Sequence, residues 1–269
     1  MIAFLRDVGA SLDRCELTHL PREAIDGALA RQQHARFAAR LRELGVTVEF
    51  APPLPEQADG VFIEDTALVL PEIAVLTRPG ARSREPEVDS VRSLLAPHRP
   101  IQRLVEPATL DGGDVLRRGP TLTVGQTPRT NAAGIEALRA IVTPFGYTVL
   151  PLPIRGCLHL KSACTFIPPN TFVINPAWID AAQLGDASVI PVDESEPFAA
   201  NTLTIGQTTL ISASFPKTEK RLRDAGILTR AIDISELEKA EGGLTCLCLL
   251  VEPSGPAEEK RPKEEASGG

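Results

Sequence analysis

The chain has 269 residues and a net charge of −7, enough length to bury a full core and the wrong charge to hold nucleic acid on a basic surface. No apolar run approaches the ~20 residues of a membrane span, and Met1 to Gly9, carrying Arg6 and Asp7, does not read as a signal peptide. The five cysteines (15, 157, 164, 246 and 248) form no regular framework, which predicts free thiols in a reducing, cytoplasmic compartment.

Arg22 to Leu44 is expected to be a helix, with Ala24, Ala28, Arg31, Ala35, Ala38 and Leu41 at helical spacing and Gly45 as its stop. A strand, Val46 to Phe50, and a Pro-rich loop follow. Asp59-Gly60 opens an apolar run, Val61 to Ile63, that Glu64-Asp65 interrupts before Ala67 to Leu70. Ile73 to Leu76 reads as a strand ending in the turn Thr77 to Gly80, and Arg84 to Leu95 as a helix. Thr121 to Val124 is a further strand, followed by a turn through Asn131 and a helix to Thr143. Gly146, Gly185 and Gly226 punctuate later junctions as Gly45 does the first. Helix ends thus fall near 45, 97, 146, 185 and 226, a loose period of roughly 40–50 residues. Five such units would close into a ring around a central pit; an ordinary α/β sheet with coincidental punctuation is the alternative, and periodicity leaves both open. The tail from Glu252 to Gly269 is charged and rich in Pro, Gly and Ser, so it is expected to be disordered beyond a single domain of residues 1–251.

Chemistry-bearing residues are scattered along this frame. Gly242-Gly243-Leu244-Thr245-Cys246-Leu247-Cys248-Leu249-Leu250 reads as a buried strand entered through a Gly pair, with Cys246 and Cys248 on one face and Cys246 rigid enough for a nucleophile. Buried small hydrophobes are the plainer reading of both thiols. Glu64 and Asp65 lie in an apolar run, where an acid needs a cation unless it faces solvent; Asp59 could share their wall. Leu110 to Leu116 is a Gly-rich turn whose Asp111 and Asp114 would repel phosphate. His159 alternates with apolar residues in Cys157 to Ser162 and would share a strand face with Lys161. His34 and His98 read as solvated, and His19 lies in an N-terminal loop. Zinc is set aside because the cysteines lack the usual C-x(2–4)-C pairs. Arg78 and Arg129 follow strands in similar turns, so in a ring both would point inward as a fork for a carboxylate; otherwise they are solvated turn residues.

Seven stretches occur in one order: residues 59–65 (DGVFIED), 77–84 (TRPGARSR), 110–116 (LDGGDVL), 129–131 (RTN), 158–162 (LHLKS), 199–201 (AAN) and 242–246 (GGLTC). This series, running from about residue 45 to 251, resembles dimethylarginine dimethylaminohydrolases of the guanidino-group-modifying superfamily. The resemblance implies a five-bladed α/β propeller of ββαβ units around an active-site pit. It also implies Cys246 as nucleophile, His159 as general acid/base and Asp111 as the carboxylate orienting the histidine. Asp65 would hold the substrate guanidinium, supported by Glu64, with Phe62 in the same motif lining the site. Asp59 and the Leu17 carbonyl would take the α-amino group, and Arg78 and Arg129 the α-carboxylate. The backbone at Ala240 and Glu241 would contribute at the guanidino end, where the relatives carry an aspartate in place of Glu241. The implied substrate is a methylated arginine, with no metal or organic cofactor, no nucleic acid and no membrane partner; a homodimer is left open. An arginine deiminase is the first alternative, since it uses the same residues, although such enzymes carry an inserted helical region absent here. A non-catalytic methylarginine-binding protein is the second.

Overall fold

The computed structural model describes residues 1–253. Its elements run β1 (Ile2–Leu5), α1 (Gly27–Glu43), β2 (Thr47–Phe50), β3 (Ala67–Val69), β4 (Ala74–Leu76), α2 (Glu85–Leu95) and β5 (Ile101–Arg103). Next come β6 (Val115–Arg118), β7 (Thr121–Gln126), α3 (Ala132–Val142), β8 (Thr148–Pro153), α4 (Leu160–Ala163), β9 (Cys164–Ile167), β10 (Thr171–Ile174) and β11 (Ser188–Pro191). The last are β12 (Leu203–Ile205), β13 (Thr208–Ser212), α5 (Pro216–Asp224), β14 (Leu228–Ile232), α6 (Ser235–Glu238) and β15 (Leu249–Val251).

These strands form five three-stranded sheets, β3-β4-β5, β6-β7-β8, β9-β10-β11, β12-β13-β14 and β15-β1-β2. In each, the first strand is antiparallel to the second and the second parallel to the third, the pattern of a hairpin followed by a crossover. This is the five-bladed α/β propeller. The fifth blade joins the two ends of the described chain, pairing Ile2 with Val251 and with Thr47. The first strands of all five blades line a central channel of about 410 Å³, through Leu68, Leu116, Thr165, Leu203 and Leu249 among others. Five buried apolar clusters fill the spaces between and beneath the blades.

The glycine stops behave as read: Gly45, Gly146, Gly185 and Gly226 all have positive φ at the end of a crossover. One crossover departs. Between β10 and β11 there is only a short 3₁₀ turn at Ala181–Leu184, not a full helix.

α1 begins five residues later than expected, because the Asp26 carboxylate caps it by accepting from the Ala28 and Leu29 N–H groups. Arg22 instead turns back onto the carbonyls of Asp13 and Cys15. The buried face is Ala30, Gln33, His34, Phe37, Ala38 and Leu41, so His34 is not solvated as its Arg/Gln neighbours suggested. It is 2% exposed and packs near the rings of Phe37 and Phe50. His98 is half-buried, 5.7 Å from the ring of Phe4. Among the described residues no helix is long and apolar enough to cross a membrane. Most of the tail expected to be disordered lies outside the described residues; its first residue, Glu252, accepts from Arg99 through its carbonyl and pairs with Arg117.

Candidate active site

Each blade is entered through a tight turn, and the polar side chains come from these turns. Asp65 lies two residues before β3, Asp111 four before β6, His159 five before β9, Asn201 two before β12 and Cys246 three before β15. Asp65, His159 and Cys246 line one small cavity of about 20 Å³, together with Glu16, Asp59, Phe62, Arg84, Arg129, Leu158, Ala240 and Glu241. Asp111 stands directly behind the histidine.

His159 precedes α4, whose first N–H, from Leu160, donates to Asp114 at 2.9 Å. Asp114 also accepts from the hydroxyls of Thr127 and Thr130. The imidazole Nε2 lies 2.9 Å from Asp111 and Nδ1 lies 3.9 Å from Asp65. Burial opposes charging the ring, but Asp65, Asp111 and Asp114 outweigh it and push its pKa up to about 9. Asp65 is equally buried, yet the imidazolium, Arg84 and the Gly113 N–H hold it at about 2. Only glycine fits at 113, since a Cβ there would stand 2.8 Å from the His159 ring and 2.9 Å from Asp65.

Arg84 is fully enclosed. It pairs with Asp65 at 2.6 Å and with Glu87 at 2.9 Å, and donates to the carbonyls of Phe62 and Asp59. Removing either acid would strand a buried charge, at a cost of about 3–5 kcal/mol. Asp59, pushed up to about 6 by burial against the pull of Arg84, accepts from the Glu16 N–H. The Cys246 thiol is pushed up to about 12, first by burial and then by Glu64 and Asp65; the Gly243 N–H and Lys161 pull it down. Asn201 fixes the segment before the thiol, accepting from the Thr245 N–H and donating to its hydroxyl, an approach possible only because residue 243 has no Cβ.

Four expectations are corrected. Arg78 does not reach the cavity: its backbone bridges Leu110, and its guanidinium pairs with Glu106 and Glu85 beside a separate pocket. The Pro79-Gly80 turn sends it outward, and Arg84, which the sequence reading passed over, occupies the site. Glu64 also stands outside the cavity, because successive residues of its 3₁₀ turn (Ile63–Thr66) point about 120° apart. It faces the central channel, bonded to Lys161 at 2.6 Å and to the Thr245 hydroxyl at 2.8 Å. Lys161 therefore does not share a face with His159, since the two fall on a one-turn helix and its cap instead of a strand. Cys246 and Cys248 diverge for a similar reason. Cys246 lies in the 3₁₀ turn Thr245–Leu247, before the strand begins, so it lines the cavity while Cys248 lines the channel.

Leu17 packs against the core and its neighbour Glu16 lines the cavity. Glu241 closes the far wall: its Oε1 accepts from the N–H groups of Thr18, His19 and Leu20. Among the described residues the one set of side chains close enough to hold a metal ion is Asp65, Asp111 and His159, whose ligand atoms lie within 4.8 Å of one another. Arg84, Gly113 and Gly80 already donate to those carboxylates. The cysteines do not join that set, and all five are free and buried.

Comparison with known proteins follows the same lines. Over 234 residues, 87% of this chain and 90% of the relative, it is 40% identical to the N(G),N(G)-dimethylarginine dimethylaminohydrolase of Streptomyces coelicolor. The chain belongs to the dimethylarginine dimethylaminohydrolase family. The Pseudomonas aeruginosa member is 28% identical over 226 residues, covering 83% of this chain and 89% of that one. A crystal structure of the P. aeruginosa dimethylarginine dimethylaminohydrolase, a cysteine-to-serine mutant complexed with citrulline, superposes with a TM-score of 0.88. It is 27% identical and covers 92% of this chain and 98% of its own. A dimethylarginine dimethylaminohydrolase adduct with S-methyl-L-thiocitrulline gives 0.87 at 27% identity, with the same coverage of both chains. No family model matches the chain.

Proposed function

We propose that the protein hydrolyses Nω-methylated arginines, asymmetric dimethylarginine and monomethylarginine, to citrulline and dimethylamine or methylamine. The observation that carries this reading is that Cys246, His159, Asp65 and Arg129 line one cavity, in a family whose P. aeruginosa member has been captured with citrulline.

A guanidinium is a delocalised, poor electrophile, so it must be held cationic while a strong nucleophile approaches its central carbon. Asp65, ionised far below neutrality, takes the guanidinium. The new cation beside the thiol favours loss of its proton to solvent, countering the burial and the two acids that hold Cys246 protonated in the free protein. The sulfur attacks the central carbon, forming a C–S bond. His159, protonated at neutrality, gives its proton to the methylated nitrogen as the C–N bond breaks. The imidazole then takes a proton from water, the oxygen adds to the thiouronium carbon, and the C–S bond breaks to release the thiolate and citrulline, whose oxygen-borne proton ends on the departed amine. Arg129, with Arg84 as the second guanidinium in the cavity, meets the α-carboxylate, and Asp59 meets the α-amino group.

Acid quenching during turnover tests the covalent step. Intact-mass and peptide mapping should find the same adduct on Cys246 from either methylated substrate, because the methylated nitrogen has already left. An adduct on another residue, or turnover persisting in Cys246→Ser, would exclude this mechanism.

A further inference from the structure

Glu241 is shared between two cavities. Behind the catalytic one lies a pocket of about 180 Å³ walled by Phe198, Phe215, Leu20 and Ile234, with Glu238 and Glu241 as its charged groups. Glu238 accepts from the hydroxyls of Ser214 and Ser212 and Glu241 Oε1 from the three loop N–H groups, whereas Glu241 Oε2 is buried with no hydrogen-bond partner. A buried carboxylate oxygen without a donor is costly, and native structures rarely leave one so. One such oxygen beside a second carboxylate in an aromatic-walled cavity suits a small organic cation. Burial raises the Glu238 pKa, which a bound cation would reverse.

We propose that this pocket binds a small alkylammonium ion, and that its occupant is dimethylammonium, the protonated amine product. The identity of that ion rests on the methylarginine reading above; the pocket's preference for a small organic cation does not. Its two N–H donors suit Glu241 Oε2 and the Glu238 carboxylate, and its two methyl groups suit the walls of Phe198 and Phe215. The shared Glu241 wall places the pocket beside the catalytic cavity that the amine leaves. Released amine thus acts on the enzyme from a second site while substrate occupies the first.

The test is a calorimetric titration of ligand-free protein, and of Cys246→Ser, with dimethylammonium, ammonium and sodium chlorides at matched ionic strength. Glu238→Gln and Phe215→Leu are titrated in parallel. Dimethylammonium should bind at least about tenfold more tightly than ammonium, sodium should not bind, and both pocket variants should lose about tenfold or more while Cys246→Ser does not. Dimethylammonium should also inhibit turnover non-competitively with methylarginine, with the inhibition weakened in Glu238→Gln and kcat/KM within about threefold of wild type. Because the titration needs no turnover, a protein inactive on methylarginine but showing Glu238-dependent binding would refute the substrate reading and keep the pocket. Absence of binding, binding unchanged in both variants, or purely competitive inhibition would overturn the proposal. If Glu238→Gln does not fold, Phe215→Leu and the order of the three cations decide it.

Discussion

At the scale of the residue, the site is a set of opposed charges in a nearly dry cavity. Asp65 and Asp111 lie on two sides of one imidazole, and this makes His159 an acid at neutral pH. Its pKa of about 9 is raised above the ordinary 6.5, so the protonated fraction is full below neutrality and is lost as the pH rises through 9. The proposed mechanism then predicts that kcat/KM falls on the alkaline side near that value. Asp111→Asn removes the acceptor charge on Nε2, so the falling limb should move acidward by roughly one to two units. A limb that stays in place would show that Asp111 does not govern the titrating group. The arginines give a second contrast. Arg129→Ala should cost about 2–3 kcal/mol of charge-assisted binding, roughly 30- to 150-fold in kcat/KM. Arg78→Ala, which breaks only half-exposed pairs, should change it by less than about threefold. Steady-state kinetics on both variants separates the two. Arg84 carries little mark in the sequence: it is the third arginine in Thr77 to Arg84, and Arg82 as well as Arg84 has a glutamate three residues on.

Individual elements explain where a reading by strand alternation fails. Cys246 and Cys248, and His159 and Lys161, were read on extended backbone, yet each pair spans a helical turn and its cap just before a strand. Residues two apart share a face on a strand and diverge by about 120° or more around a tight helical turn. The same pattern therefore splits its residues between the catalytic cavity and the channel behind it. Nothing in hydrophobic alternation marks so short a turn. α1 shows the complementary failure: its period was right, but a capping aspartate moved its start, and the buried face shifted onto His34. That histidine is held at about 4 by burial, only partly offset by Asp7. Its folded pKa lies below the unfolded value near 6.5, so its neutral form is compatible with folding above 6.5 and it penalises folding as the pH falls from there to 4. The loss should reach roughly 3 kcal/mol. Urea unfolding of wild type and His34→Leu between pH 7 and 4 measures it: the variant should lose correspondingly less stability over that range. Identical slopes would show that His34 takes up its proton alike in the folded and unfolded states.

For the whole molecule, the loose fivefold punctuation was a correct trace of the ring, because in four of the five blades a positive-φ glycine ends the crossover where a helix or turn reverses toward its strand. The ring also accounts for function in a way that no single motif does. Five blades bring five equivalent turns to one end of the barrel, so residues as distant as Asp65 and Cys246 meet without a long-range loop. The joining of β1 to β15 holds Cys246 in place from the opposite end of the chain. What the sequence could not show is the depth at which each turn side chain settles, since that depends on contacts between blades. The central claim is best tested by giving purified protein asymmetric dimethylarginine, monomethylarginine and arginine separately. Citrulline would be scored with dimethylamine, methylamine and ammonia, with Cys246→Ser as control. Citrulline with the matching methylated amine, absent in the variant, is the predicted result; citrulline and ammonia from arginine alone, or no citrulline from folded protein, would contradict it.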